Sequence, residues 1–315
     1  MWSRGQSAGL DPAAADELRV ALATVAAIPV TPFAEDGSPD WDAHARVIGR
    51  ILDAGLTLIT PNGNTGEFST LSPEEARLAT ESAARSGAGR AEILAGVGLD
   101  VASAVAAGQH AAAAGARMVM VHQPASPYLS AEGWLDYHRA VAGALPGLGV
   151  VLYIRDARIA GEHIARLADA CPNVIGVKYA VRDPVLFAAV ARDAGPDRFT
   201  WLAGLAELSA PLCWPAGARG FTSGLVNAAP ALARSMLTAL RDGDLPGAMK
   251  VWDLVRPFEE LRAAGSSADN VSVVKEALAQ LGLCRPDVRP PSHRVPPRVR
   301  TRIAGILASW GLARS

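Results

Sequence analysis

Asn173–Ala180 reads NVIGVKYA, an apolar run interrupted by a single lysine, Lys178. A continuous apolar run over Val174–Tyr179 is the pattern of a strand buried on both faces, as strands of parallel sheets are. The lysine is the anomaly. Of the 30 Lys plus Arg, only Lys178, Lys250 and Lys275 are lysines, so 27 cationic positions use arginine. A chain that meets its need for positive charge with arginine has a separate reason for a lysine in a strand. An amine differs from a guanidinium in that it can lose its proton, and apolar walls favour that loss near neutral pH. The neutral amine attacks carbonyls to give a Schiff base. The alternative is a lysine whose stem runs along the strand end and whose head reaches water.

Other short apolar runs flank this one: Val25–Val30, Thr57–Pro61, Glu92–Gly96, Arg117–His122, Gly149–Ile154, Thr200–Ala203 and Gly220–Ser223. Between them lie Ala/Leu-rich stretches with helical periodicity: Asp42–Asp53, Ser72–Ala84, Asp100–Ala114, Ser130–Ala144, Glu162–Asp169 and Pro184–Asp193. Ser72–Pro73–Glu74–Glu75 supplies a cap, a first-turn proline and two acids at the positive helix end. Eight strands alternating with helices predict a (β/α)8 barrel of the α/β class. A doubly wound open sheet would usually carry an early GxGxxG loop, and none is present. Pro230–Arg241 completes the barrel, and Leu245–Ala263, Ser272–Leu281 and Pro297–Ser309 predict a helical extension. The expected division is 1–242, a barrel with a short segment before it, and 243–315, the extension. Arg285–Arg298, rich in proline and arginine, reads as an exposed loop packed on the extension. Chemistry in such barrels sits at the C-terminal strand ends, where Lys178, Tyr153 and the loop Gly63–Glu67 (GNTGE) all fall.

Composition narrows the function. The chain has 315 residues, 50% hydrophobic and 19% charged, which is ample for a large core. A formal net charge of −1 argues against a nucleic-acid surface or a polybasic membrane patch. Cys171, Cys213 and Cys284 are scattered and odd in number, which fits a reducing compartment. The N-terminal stretch Met1–Val20 lacks a leader's apolar core, and no run reaches a membrane span, so a cytoplasmic location is expected.

The combination of GNTGEFSTLSPEE from Gly63, PYLSAEGWLDYHRAV from Pro127, VLYIRDAR from Val151 and VIGVKYA from Val174 resembles the dihydrodipicolinate synthase/N-acetylneuraminate lyase family. The resemblance runs from Ala26–Phe33 to the C-terminal helices. It implies a class I lyase in which Lys178 forms an iminium with a 2-oxo acid and Tyr153 shuttles protons. The lesser alternative for Tyr153 is a core aromatic with a satisfied hydroxyl. The loop Gly63, Asn64, Thr65 and Gly66 would present N–H groups and the Thr65 hydroxyl to the substrate carboxylate. Ser223 and Gly224, with Asn227 near them, would line the same pocket, although a serine there also suits a helix cap. Tyr128 is implied to reach a neighbouring subunit of a homotetramer.

The synthases carry two adjacent threonines where this chain has Asn64–Thr65, and an asparagine where it has Ile154. The separation from Tyr153 to Lys178, 178 − 153 = 25, is a little short for them. YIRD at Tyr153–Asp156, the phenylalanine after GNTGE, SPYL at Ser126–Leu129 and VRPP at Val288–Pro291 are similar to the 5-dehydro-4-deoxyglucarate dehydratase branch. That branch reads GGTGEF and YNRD at the matching places, so neither match is complete. The implied reaction is decarboxylating dehydration to 2,5-dioxopentanoate. A substrate with two carboxylates needs a second cationic anchor, for which Arg155 and Arg158 are candidates. Surface charge is the other explanation for both, and Arg158 aligns with the synthases' carboxylate-binding arginine. A pyruvate-dependent aldolase or synthase is the runner-up, and a non-catalytic barrel binding a 2-oxo acid is the reading from another class. His110, His122, His138 and His163 have no metal-ligand spacing, and Asp100, Asp156 and Glu67 are single acids at separate strands. No metal and no cofactor beyond the lysine is expected.

Overall fold

The computed structural model describes residues 9–312. The first eight residues of the stretch read for a leader lie outside this range, as do the last three of the chain. Eight parallel strands close into a barrel, each paired with the next and the eighth with the first. They are β1 (Val25–Ala27), β2 (Leu58–Ile59), β3 (Glu92–Val97), β4 (Met118–Val121), β5 (Gly149–Ile154), β6 (Val174–Tyr179), β7 (Thr200–Ala203) and β8 (Ala218–Ser223). Helices α2 (Trp41–Asp53), α3 (Pro73–Gly87), α4 (Val101–Ala113), α5 (Ala131–Ala144), α6 (Gly161–Ala170), α7 (Pro184–Ala194), α8 (Ala206–Cys213) and α9 (Pro230–Arg241) follow the strands in turn. The expected (β/α)8 barrel is present. Three expected strands are shorter than read: β1 stops at Ala27, β2 keeps only two residues and β4 loses Arg117 and His122. The backbone beyond Ala27 leaves the ladder, where the Val30 N–H donates to Asn227 Oδ1.

Alternation within each strand sorts the core into two layers. Ala26, Leu58, Leu94, Met118, Met120, Val151, Tyr153, Ile175 and Leu202 fill the barrel interior. Their neighbours Val119, Val150, Leu152, Val177 and Trp201 face the helices. A register irregularity between Val150 and Val151 brings Tyr153 opposite Lys178 on β5 and β6. Adjacent partners in a parallel pair point to the same side, so both side chains enter the barrel together.

Two helices were not legible in the sequence. The first, α1 (Pro12–Leu22), packs Ala15, Leu18 and Leu22 into the interior cluster and plugs the N-terminal end of the barrel. The second is α8, whose Pro211 and short length hide its helical pattern. The SPEE signal holds: the Glu75 N–H donates to Ser72 Oγ and the Ser72 N–H to Glu75 Oε2.

The C-terminal part comprises α10 (Leu245–Ser267), α11 (Asn270–Gln280) and α12 (Pro297–Ser309). Helical dihedrals in α10 are lost at Ala264, Gly265 and Ser266, which turns the chain back over the barrel mouth. The link Arg285–Arg298 does more than rest on the extension. Its Arg289 lies over the Phe33 ring, and the Arg289 backbone N–H donates to Glu67 Oε1. The Arg289 guanidinium pairs with both Glu75 oxygens at 2.7 Å and donates to the carbonyls of Gly37 and Thr70. Among the described residues no helix is long and apolar enough to cross a membrane.

Candidate active site

A cavity of about 620 Å³ opens where β5, β6, β7 and β8 end, and the turn after β2 and the end of α10 complete its wall. Lys178 and Tyr153 stand in it side by side. Lys178 is 2% exposed, with Nζ 3.8 Å from the centroid of the Tyr153 ring. Burial, reinforced by the charge of Arg155, lowers the Lys178 ammonium to about 7. At pH 7 roughly half the side chains are then free amine, against about one in 3,000 for an unperturbed lysine. The rate of borohydride-trapped adduct formation with pyruvate is therefore expected to rise with pH through about 7 and flatten above 8. A rate still climbing tenfold per unit at pH 9 would mean an unshifted lysine.

Tyr153 is raised in pKa by burial, with Arg155 opposing, so its phenol is protonated at neutral pH. Its Oη accepts a hydrogen bond from Asn64 Nδ2 at 3.1 Å. An amide in that place orients the phenol and favours its anion, but it cannot pass on a proton as a threonine hydroxyl can. On the other side His122 meets the Tyr153 ring edge-on at 5.6 Å and stacks on Phe68 at 4.4 Å. Burial lowers the His122 imidazole to about 4, so it is neutral and its Nε2–H is placed to donate to the Asn62 carbonyl, 2.8 Å away. It holds the tyrosine ring in place.

The GNTGE turn is arranged differently from the expectation. Asn64 and Thr65 line the cavity, whereas Gly63 and Gly66 lie behind it. The N–H groups of Gly66 and Glu67 donate within the turn, to Gly63 and Asn64, and the Gly66 carbonyl accepts from Thr31. A one-turn 3₁₀ helix over Asn64–Gly66 consumes those amides, which leaves the N–H groups of Asn64 and Thr65 without protein acceptors among the described residues.

Other expected site residues separate into two groups. Arg155 and Gly224 line the cavity. Arg158 does not: its guanidinium grips Asp156, with Nε 3.0 Å from each carboxylate oxygen, and its side chain is 68% exposed. Ser223 is fully buried and donates to Glu207 Oε1 at 2.5 Å, so it serves the wall rather than a ligand. Tyr128 is 92% exposed and lies outside the cavity of its own chain. Asp100 caps α4 through the Ser103 N–H, and Glu67 pairs with Lys275.

Among the lining residues that escaped the sequence reading are Arg182, Glu259, Arg262 and Asn270. Arg182 follows the lysine strand, and only its position there could have flagged it. The other three come from the helical extension, which nothing in the sequence aims at the barrel. Cations around a buried neutral amine suit a carbonyl compound that carries carboxylates.

A family model described as the dihydrodipicolinate synthetase family matches residues 21–309. A 4-hydroxy-tetrahydrodipicolinate synthase of Hyphomonas neptunium is 33% identical over 289 residues, covering 90% of this chain and 96% of that protein. A probable 5-dehydro-4-deoxyglucarate dehydratase of Rhizobium rhizogenes is 31% identical over 296 residues, covering 92% and 97%. The crystal structure of dihydrodipicolinate synthase from Bacillus clausii superposes with a TM-score of 0.90 at 39% identity, covering 93% of this chain and 99% of that one. Barrel, strand-end lysine and matched length lead to one placement: the chain belongs to the dihydrodipicolinate synthetase family.

Proposed function

We propose that the protein is a class I lyase that converts 5-dehydro-4-deoxyglucarate to 2,5-dioxopentanoate, water and CO₂. The observation that carries this reading is the buried Lys178 amine against Tyr153 in a cavity whose rim holds Arg155, Arg182 and Arg262. Lys178 Nζ adds to the keto carbon, and loss of water gives an iminium that acidifies the neighbouring C–H. Tyr153 moves the protons of these steps. The carbon next to the iminium carbon gives up a proton and the β-hydroxyl leaves as water, forming a conjugated iminium. The bond to the distal carboxylate then breaks, CO₂ departs, and its electron pair flows into the iminium. Protonation and hydrolysis release the product and restore the amine.

Two observations favour this over the synthase reaction. Asn64 stands where the synthases' threonine relay would be, and Arg158 is held by Asp156 outside the cavity. Stoichiometric CO₂ and 2,5-dioxopentanoate from 5-dehydro-4-deoxyglucarate are expected. Aldehyde consumption that requires pyruvate, with no CO₂, would replace this reading with the synthase. Tyr153→Phe should lower turnover by about 10²–10⁴-fold while leaving Lys178 trappable by borohydride; a drop under threefold would remove Tyr153 from proton transfer. Cytoplasmic residence and a homotetramer complete the proposal, the latter supported by the exposure of the Tyr128 ring.

A further inference from the structure

Arg262 is an arginine with one nitrogen left over. It sits three residues after Glu259 in the last helical turn of α10, and both side chains are buried, at 7% and 4% exposed. Nη1 donates to Glu259 Oε1 at 2.5 Å and Nε to Asn270 Oδ1 at 3.0 Å. Nη2 has no acceptor among the described residues, and the side chain faces the cavity. A guanidinium donor that opens on the cavity and has no such acceptor is placed to meet a ligand carboxylate.

The backbone of β8 makes room for it. A Cβ at Gly224 would collide with Nη2, lie 2.9 Å from Cζ and 3.0 Å from the Thr65 hydroxyl. The guanidinium thus packs flat on a residue with no side chain, its free edge beside Thr65. Two contacts fix its plane before any ligand arrives, so little rotamer entropy is lost on binding. Behind it Glu207 is pushed up in pKa by burial and by Glu259, and its Oε2 has no hydrogen-bond partner among the described residues. Kept protonated, Glu207 adds no second negative charge against an incoming anion. Lys178 enters from β6 whereas Arg262 packs on Gly224 after β8, two strands further round the barrel, which sets Arg262 apart from the carbon that becomes the iminium.

We propose that Arg262 binds the carboxylate remote from the keto group and so selects six-carbon 2-oxo dicarboxylates over 2-oxo monocarboxylates. Glu259 and Asn270 are its positioning residues. This inference rests on the Schiff-base reading above.

The test uses two acids of equal length that differ only at the far end, 2-oxoadipate and 2-oxohexanoate. The readout is the concentration of each that half-saturates borohydride trapping at Lys178. The wild type is expected to favour 2-oxoadipate. Arg262→Met should shift the ratio of the two concentrations against it by about 10- to 100-fold, the range for losing a hydrogen bond to a charged group. Arg262→Lys keeps the pair with Glu259 and loses the fork, and should shift the ratio severalfold; it decides the matter if the methionine variant does not fold. A ratio that moves less than twofold in a folded variant, or two concentrations rising together, assigns Arg262 to the wall or to the near carboxylate and overturns the inference. A wild type that traps both acids without preference also overturns it while sparing the Schiff base. A wild type that traps neither removes the Schiff-base reading itself, and this inference with it.

Discussion

Lys178→Met is expected to abolish adduct formation, to lower turnover by roughly 10⁴-fold or more, and at the same time to make the folded protein more stable. The two effects have one cause. An amine lowered from 10.5 to about 7 by burial disfavours the native state wherever the unfolded chain would carry the proton. Because the folded value is depressed, the cost is absent above about pH 10.5. It grows as the pH falls towards 7 and reaches about 4 kcal/mol at pH 7. Methionine has nearly the same length, fills the space beside the Tyr153 ring and carries no charge. Denaturant midpoints of the two proteins should differ most at pH 7 and below, and converge towards pH 10.5. A methionine variant that is less stable at every pH would show that Lys178 is held charged by partners, and the case for a free nucleophile would fail.

Lys275→Met should do the opposite, costing about 3–5 kcal/mol. Lys275 is fully buried, pairs with Glu67, donates to the Asp287 carbonyl at 2.8 Å and lies 3.8 Å from the centroid of the Phe33 ring. Its removal leaves the buried Glu67 carboxylate with the Arg289 amide but without a counter-charge, and that uncompensated charge sets the size of the effect. Glu67→Gln combined with Lys275→Met should recover at least half of the loss, since neither charge then remains. Glu67 has φ 60° and follows directly on Asn64–Gly66, so the single variant should also weaken the grip of Asn64 on Tyr153 and slow trapping. A single variant losing under 1 kcal/mol in chemical denaturation would mean that water reaches Glu67.

The barrel was legible because its signal is local. The β5 and β6 runs are apolar but for Lys178, Arg155 closes the first and Asn173 opens the second, and their limits match the structure to the residue. By contrast α1 is defined by what it plugs, and a short amphipathic stretch near the N-terminus reveals nothing of the open barrel end it will meet. Lys178 stood out because the chain uses lysine so rarely. Arg262 did not, for the complementary reason: among 27 arginines, one more on a helix reads as surface. The break is legible, since the expected helix stops at Ala263 and helical dihedrals are lost at Ala264–Ser266, but nothing in the sequence says that this end of the helix carries Arg262 onto the cavity. Ser223 reads as a ligand or a cap: the Val226 N–H donates to its Oγ as a cap would have it, and the hydroxyl donates to Glu207 of α8, the helix that Pro211 conceals. Arg158 is a candidate by its place beyond β5 and its carboxylate-matching fork, but its own neighbour Asp156 captures that fork.

The strap formed by Arg289 has a consequence for biosynthesis. The turn that holds Asn64 and Thr65 is made early, yet two of its anchors, the Arg289 amide on Glu67 and the Lys275 ammonium, belong to the far end of the chain. On a ribosome working from N to C terminus, strands and helices can assemble in order. The rim cannot set until residue 289 has emerged, so a nascent barrel passes through a stage in which its shell is built and the turn that carries Asn64 and Thr65 is still loose.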